Sequence, residues 1–299
     1  MLPLGPKRFS KPPCSIAEIP VVDAVVISHS HYDHLSSPSV NEVHKHHPNA
    51  HFFVGLGLAK WFRSSGIDKV TELDWWEDAD LTLTPASTGP EAAANSAQSS
   101  RNEGTITARI SCLPAQHSSG RTPMDKDTTL WCSWGVSSPS PSPNPASPPI
   151  TKSVYFGGDT GYRNVPNSLD PTAEEPYPDS LQQFRTHTSE QQRQSRLPIN
   201  PQFRQIGQLR GPFDLGLLPI GAYTPRMYVS SVHASPFDAV EIFRDTNCRR
   251  AMGIHWGTWA LTFEDVLEPP LLLKEALKRR GIPETGVFDV CDVGESREF

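Results

Sequence analysis

The sequence predicts an α/β domain. Short apolar, β-branched runs alternate with segments that carry helix signals, as in layered strand and helix folds. Histidines and aspartates stand directly after several of these runs, at the strand ends where open α/β sheets place their sites.

Taken in chain order, Val21–Ser28 is a short apolar run and reads as a buried strand. The polar stretch around HKHHPNAH reads as a helix and its end, with His44, His46, His47 and His51 solvated. Leu56–Ser65 reads as a helix ended by Gly66. Ile110–Leu113, Val154–Gly158 and Asp214–Leu218 read as further strands. At Ser235-Pro236 a helix begins: serine is a good N-cap, proline suits the first helical position, and Asp238 places negative charge in the first turn. It runs to about Asn247. Ala251–Ile254 is another strand, and Pro270–Arg280 a last helix stopped by Gly281.

Three stretches break the pattern. Ala86–Thr105, Ser137–Lys152 and Ser168–Pro201 are rich in Ser, Pro, Gln, Asn or Ala and have almost no apolar periodicity. Such segments bury too little apolar surface to offset the entropy of ordering, so they read as flexible surface insertions. About 230 residues then remain for the core of a single domain over 1–299, enough for a sizeable interior.

Bulk properties exclude some functions. A net charge of −6 with no basic stripe argues against a nucleic-acid partner. Five scattered cysteines without a C-x-x-C pair read as reduced thiols of an intracellular protein. No apolar run approaches the ~20 residues that span a bilayer. The opening MLPLGPKRFSKPPC has no signal-peptide core, so a cytoplasmic or peripherally membrane-bound protein is expected. Oligomeric state stays open.

The chemistry centres on SHSHYDHL. His29 and His31 are two apart at the end of a strand and can point the same way. Asp33 and His34 follow on the turn. Imidazole and carboxylate suit zinc or iron, so one short segment can feed two adjacent metals. His117, Asp159 and His255 stand at the ends of later strands. Each alone would be weak. Together they recur at one kind of position and complete a two-metal ligand set.

H-x-H-x-D-H, then His, Asp and His in this order resembles the metallo-β-lactamase superfamily. The resemblance implies an αββα sandwich with the metals at the strand ends. It implies that His29, His31 and His117 hold one metal, that Asp33, His34 and His255 hold the other, and that Asp159 bridges both. Two Zn2+ are expected, with iron or manganese an alternative at one site.

GPKRF, DAVVISHSHYDHL, GGDTGYR, GPFDLGLLPIGAY and GIHWGTWALTFEDVLEPP narrow the likeness. They resemble the phospholipase D family that hydrolyses N-acylphosphatidylethanolamine to N-acylethanolamine and phosphatidic acid. A phospholipid substrate and peripheral membrane contact follow as expectations. Two metals about 3.5–4 Å apart can hold a bridging hydroxide and clamp a phosphate oxygen. His233, matching a family histidine, is the candidate general acid or phosphate clamp. Tyr223, Gln116 and Trp256 flank ligand motifs and are candidates to shape the substrate pocket. Trp61, Phe62, Trp75 and Trp76 are candidates for a lipid-facing lip or for packing.

In that family an N-terminal β-hairpin, with an acidic residue near the metals, precedes the GPKRF match. Here only four residues do. The expectation is a sandwich without its first strands, poorly stable and weakly active. Two other functions stay open. One is a metallo-hydrolase of another ester, such as a lactone or sugar phosphate. The other is an inactive truncated homologue. A broad apolar groove beside the metals would favour the lipid.

Overall fold

The computed structural model describes residues 8–84, 105–140, 150–165 and 197–298. Two β-sheets lie face to face between outer helical layers. The first sheet is parallel: β1 (Ala24–Ile27), β2 (His51–Gly55) and β3 (Val70–Leu73), in that order. Among the described residues β1 pairs with β2 alone. The second sheet has seven strands: β4 (Asp78–Leu83), β5 (Ile106–Leu113), β6 (Ser133–Ser140), β7 (Ile150–Phe156), β8 (Phe213–Pro219), β9 (Cys248–Ile254) and β10 (Phe288–Asp289). They pair in sequence order, antiparallel from β4 to β7 and parallel from β7 to β10.

Side-chain alternation builds the layers. On β1, Val25 and Ile27 face the helices α1 (Ser37–His46) and α2 (Ala59–Ser64) together with Phe52, Val54 and Phe62. Ala24 and Val26 face the other sheet, where Phe53, Leu73, Ile110, Cys112 and Trp134 pack. The buried strand expected over 21–28 is shorter and more open: only 24–27 is strand, Ile27 is buried, Ala24, Val25 and Val26 are half-buried, and Val21 is exposed. On the far side of the large sheet lie α3 (Gln202–Leu209), α5 (Pro236–Asp245) and α6 (Glu268–Arg279), packed on Leu113, Tyr155, Leu218 and Ala251; a short α4 (Arg226–Val229) precedes α5. The α/β/β/α sandwich expected from the sequence is the fold observed.

Trp134 also ties the sheets together by polar contact. Its indole N–H donates to the Ile27 carbonyl at 3.1 Å, and the Cys132 N–H donates to Ser28 O at 2.9 Å. Both bonds fix the end of β1 from which the histidine-rich loop departs.

Several elements differ from expectation. Leu56 and Gly57 form a turn after β2, and α2 starts only at Ala59, because Gly57 takes a φ of +89° that a helix cannot continue. The segment 137–152 is not wholly an insertion. Its ends belong to β6 and β7, paired from Ser137↔Ser153 to Ser140↔Ile150. Pro139 is tolerated because β6 pairs with β5 only as far as Ser137, so no N–H is required on that side. The middle of that segment, with most of 86–105 and 168–201, lies outside the described residues. Pro201, assigned to the last insertion, caps α3 instead.

The predicted start of α5 is as read. The Ser235 hydroxyl accepts from the Asp238 N–H, and the Asp238 side chain accepts from the Ser235 N–H. Ser235→Ala is expected to lower stability by about 1 kcal/mol, readable as a shifted denaturation midpoint at unchanged slope.

Candidate metal centre and its surroundings

Loops at one end of the sandwich carry every expected ligand. The loop after β1 supplies His29, His31, Asp33 and His34; those after β5, β7 and β9 supply His117, Asp159 and His255. Close approach of two strand ends makes room for this. Gly158 has a φ of +58°, and a Cβ there would come within 2.6 Å of the Ser28 side chain. His255 itself adopts a left-handed φ of +62°, a conformation that costs free energy in a non-glycine residue and turns its ring toward Asp159.

His29, His31 and His117 form one cluster and Asp33, His34, Asp159 and His255 a second, the ligand atoms of each within 4.8 Å of one another. In the first, His29 Nε2 lies 2.8 Å from His31 Nδ1, and His117 Nε2 lies 3.1 and 3.2 Å from these two atoms. His117 Nδ1 faces the Val232 carbonyl at 2.9 Å, and a carbonyl only accepts. That nitrogen therefore carries the proton, and Nε2 presents a lone pair to its neighbours. Burial pushes His117 down to about 4 and holds His29 far below the ordinary histidine range, so both rings are neutral. Converging imidazole nitrogens, that of His117 held in one tautomer, are what a cation such as zinc accepts as ligands.

Asp159 joins the clusters. It is 3% exposed, with Oδ2 at 3.1 Å from His34 Nε2, 3.7 Å from His117 Nε2 and 4.0 Å from His29 Nε2. Its Oδ1 lies 3.1 Å from His255 Nε2 and makes no hydrogen bond among the described residues. Burial opposes charge on His34, yet Asp159 and Asp33 outweigh it and push this histidine up to about 10. Burial likewise opposes the Asp159 anion, but His255 and His34 hold its carboxyl well below the usual carboxylate range. The second cluster thus has an excess of acceptor groups that draw positive charge. Two adjacent His/Asp clusters of this composition suit a binuclear centre.

The other candidates fall in different places. His233 is close: Nδ1 is 3.9 Å from Asp159 Oδ2, and its ring stacks 5.9 Å from that of His255. Burial lowers its pKa, and its buried Nδ1 has no protein hydrogen-bond partner among the described residues. Trp256 lines a cavity of about 190 Å3 with Asp33, His34, His255, Trp259 and Leu261. Tyr223 lies in a different groove with Phe237 and Leu272, its hydroxyl bonded to Glu268. Gln116 donates through its side chain to Ser231 O at 2.8 Å, tying the His117 loop to the one that bears His233.

The aromatic quartet does not form a lip. Phe62 is fully buried, and Trp61, Trp75 and Trp76 pack against three separate core clusters. The apolar wall beside the ligands is Trp256, Trp259 and Leu261, which sequence reading passed over beyond Trp256. Of the second histidine group, His51 and His47 are half-buried, His51 bonding Thr71 at 2.8 Å. The described residues contain no disulfide, and no described helix is long and apolar enough to cross a membrane.

A family model for the beta-lactamase superfamily domain matches residues 3–172 and 199–256. N-acyl-phosphatidylethanolamine-hydrolyzing phospholipase D 1 of Caenorhabditis elegans is 33% identical over 97% of this chain and 65% of its own length. The mitochondrial enzyme of that name from Saccharomyces cerevisiae is 28% identical over 89% of this chain and 43% of its own. The chain therefore spans 43 to 65% of the length of these two relatives. Among solved structures, a metallo hydrolase of the archaeon Ignicoccus hospitalis superposes with a TM-score of 0.47 at 17% identity, over 91% of this chain and 77% of that one. With the family model matching most of its length and the ligand loops at the strand ends of an α/β/β/α sandwich, the chain belongs to the beta-lactamase superfamily.

Proposed function

We propose that this protein is a metal-dependent phosphodiesterase that cleaves N-acylphosphatidylethanolamine to N-acylethanolamine and phosphatidic acid. The observation that carries the reading is the cavity in which Asp33, His34 and His255 share walls with Trp256, Trp259 and Leu261. It sets charge-binding groups against an apolar surface, as a molecule with a phosphodiester and acyl chains requires. A sugar phosphate, or a lactone without an apolar chain, would leave that wall without a partner. The named relatives in worm and yeast act in the same direction.

His29, His31 and His117 would hold one cation, Asp33, His34 and His255 a second, and Asp159 both. When bound, such cations supply an activated water and neutralise charge on the phosphate. The chain supplies the rest. Trp256, Trp259 and Leu261 seat apolar substrate and exclude bulk water. His233 stands beside Asp159 with Nδ1 free of hydrogen bonds among the described residues, placed to pass a proton to the departing alkoxide or to clamp a phosphate oxygen.

Zinc-loaded protein incubated with N-acylphosphatidylethanolamine should release N-acylethanolamine, lose that activity to a chelator and regain it with zinc. Metal-loaded protein that cleaves only lactones or sugar phosphates would overturn the lipid assignment. His233→Ala is expected to cut turnover by about 10²- to 10⁴-fold, the usual contribution of a positioned acid or base. Metal content, measured by atomic spectrometry, should stay that of wild type; an unchanged rate would remove His233 from the reaction.

A further inference from the structure

We infer that Arg121 is a positioning residue that clamps the loop bearing His31, Asp33 and His34 onto the loop bearing His117. This rests on the metal-centre reading above. The guanidinium reaches across 91 positions of sequence: Nε donates to Ser30 O at 2.7 Å, and Nη2 donates to Leu35 O. Those two carbonyls bracket the four residues from His31 to His34. The same guanidinium lies 4.5 Å from the ring centroid of Tyr32, whose side chain is otherwise mostly exposed. Both ends and the crest of the ligand loop are thus held by one side chain.

Arg121 is itself fixed. Its N–H donates to both oxygens of Asp125 at 3.1 Å, and the neighbouring Gly120 N–H donates to Ser30 Oγ at 2.9 Å. Ser119 N–H donates to Asp127 at 3.0 Å, so a carboxylate-stabilised turn presents the arginine four residues after His117. Loop ligands lose more freedom on binding a cation than ligands on strands do. A clamp that removes this freedom beforehand raises affinity without touching the metal. Arginine's planar fork can serve two carbonyls and a ring face at once; lysine, a point charge with rotatable donors, cannot. The constraint acts on His31, Asp33 and His34 more than on His29, whose place is set by the end of β1.

The test is chelator-competition titration of zinc on wild type, Arg121→Lys and Arg121→Ala, with thermal melts of the metal-free proteins. Leu277→Ala, a core change remote from the loop, serves as a control for general loosening. The expected result is two tight zinc ions on wild type and, on both Arg121 variants, 10- to 100-fold weaker binding of the ion held by Asp33 and His34, with the ion held by His31 weakened as well, the range for groups that orient ligands. Lysine should not rescue, and Leu277→Ala should lower the melting temperature without changing either affinity. Two tight ions on wild type with unchanged affinities in both Arg121 variants would overturn the clamp alone. An equal loss in the control would also overturn it. No tight zinc on wild type would overturn the metal centre and the clamp with it.

Discussion

Replacing Asp159 by alanine is expected to abolish tight binding of both cations and, with it, turnover. This carboxylate faces both clusters: His34 and His255 at 3.1 Å, His117 at 3.7 Å, His233 at 3.9 Å and His29 at 4.0 Å. No other described acidic side chain touches the first cluster's histidines, since Asp33 contacts only His34 and His255. Without Asp159 the first cluster keeps three neutral nitrogens but loses its anion, and the second loses the ligand that joins its two histidines. Groups that merely orient a ligand cost about 10- to 100-fold in metal affinity, so a shared ligand should cost at least that at both sites. Asp159→Asn separates charge from shape: it keeps the volume and an oxygen acceptor but removes the anion. Zinc per protein should fall in both variants, with turnover lost in parallel. Wild-type stoichiometry and rate in Asp159→Ala would falsify the shared-ligand role.

The sequence made the ligand residues legible because their signal is local. His29, His31, Asp33 and His34 sit within six positions after a strand apolar on both faces, and a strand end fixes where such residues point. His117, Asp159 and His255 repeat that arrangement. What the sequence hides is pairing across distance. Nothing around Arg121 announces that its partners are the carbonyls of Ser30 and Leu35, because main-chain acceptors leave no mark on residue identity. Trp259 and Leu261 were equally hidden, since an apolar residue after a strand reads the same whether it packs in a core or walls a cavity. The Ser-Pro run at 137–152 concealed the ends of β6 and β7 because composition reports entropy and burial, not the pairing available at a sheet's outer end. Likewise α3 has only Phe203, Ile206 and Gly207 buried, too short an apolar face to stand out in a polar stretch.

Asp238→Ala is expected to give the largest loss of stability. Asp238 is fully buried, accepting from Arg163 Nε at 2.8 Å on one oxygen and from Arg226 Nη2 on the other. Arg163 is only 2% exposed. Removing one partner of such a network leaves charge buried without its counter-ion and typically costs about 3–5 kcal/mol. The lost α5 cap adds to this. Burial opposes ionisation of Asp238, but Arg226 and Arg163 outweigh it and hold the carboxyl below its ordinary value. A folded pKa below the unfolded one means that the carboxylate's stabilisation is present above about pH 4, the unfolded value, and fades as pH falls through the folded one. Denaturant titrations across pH 3–7 should therefore show a loss in Asp238→Asn that is largest at neutral pH and narrows on acidification. A gap that stays constant over this range would show that the ion pairs do not carry the effect. The network also reaches the metal centre. Arg226 donates to the His233 carbonyl at 3.1 Å, and Arg163 stands four residues after Asp159, so Asp238 links the loops that carry both side chains. Turnover by Asp238→Asn, measured well below its melting temperature, should accordingly fall even where the protein remains folded, because His233 and Asp159 lose the support that fixes their separation.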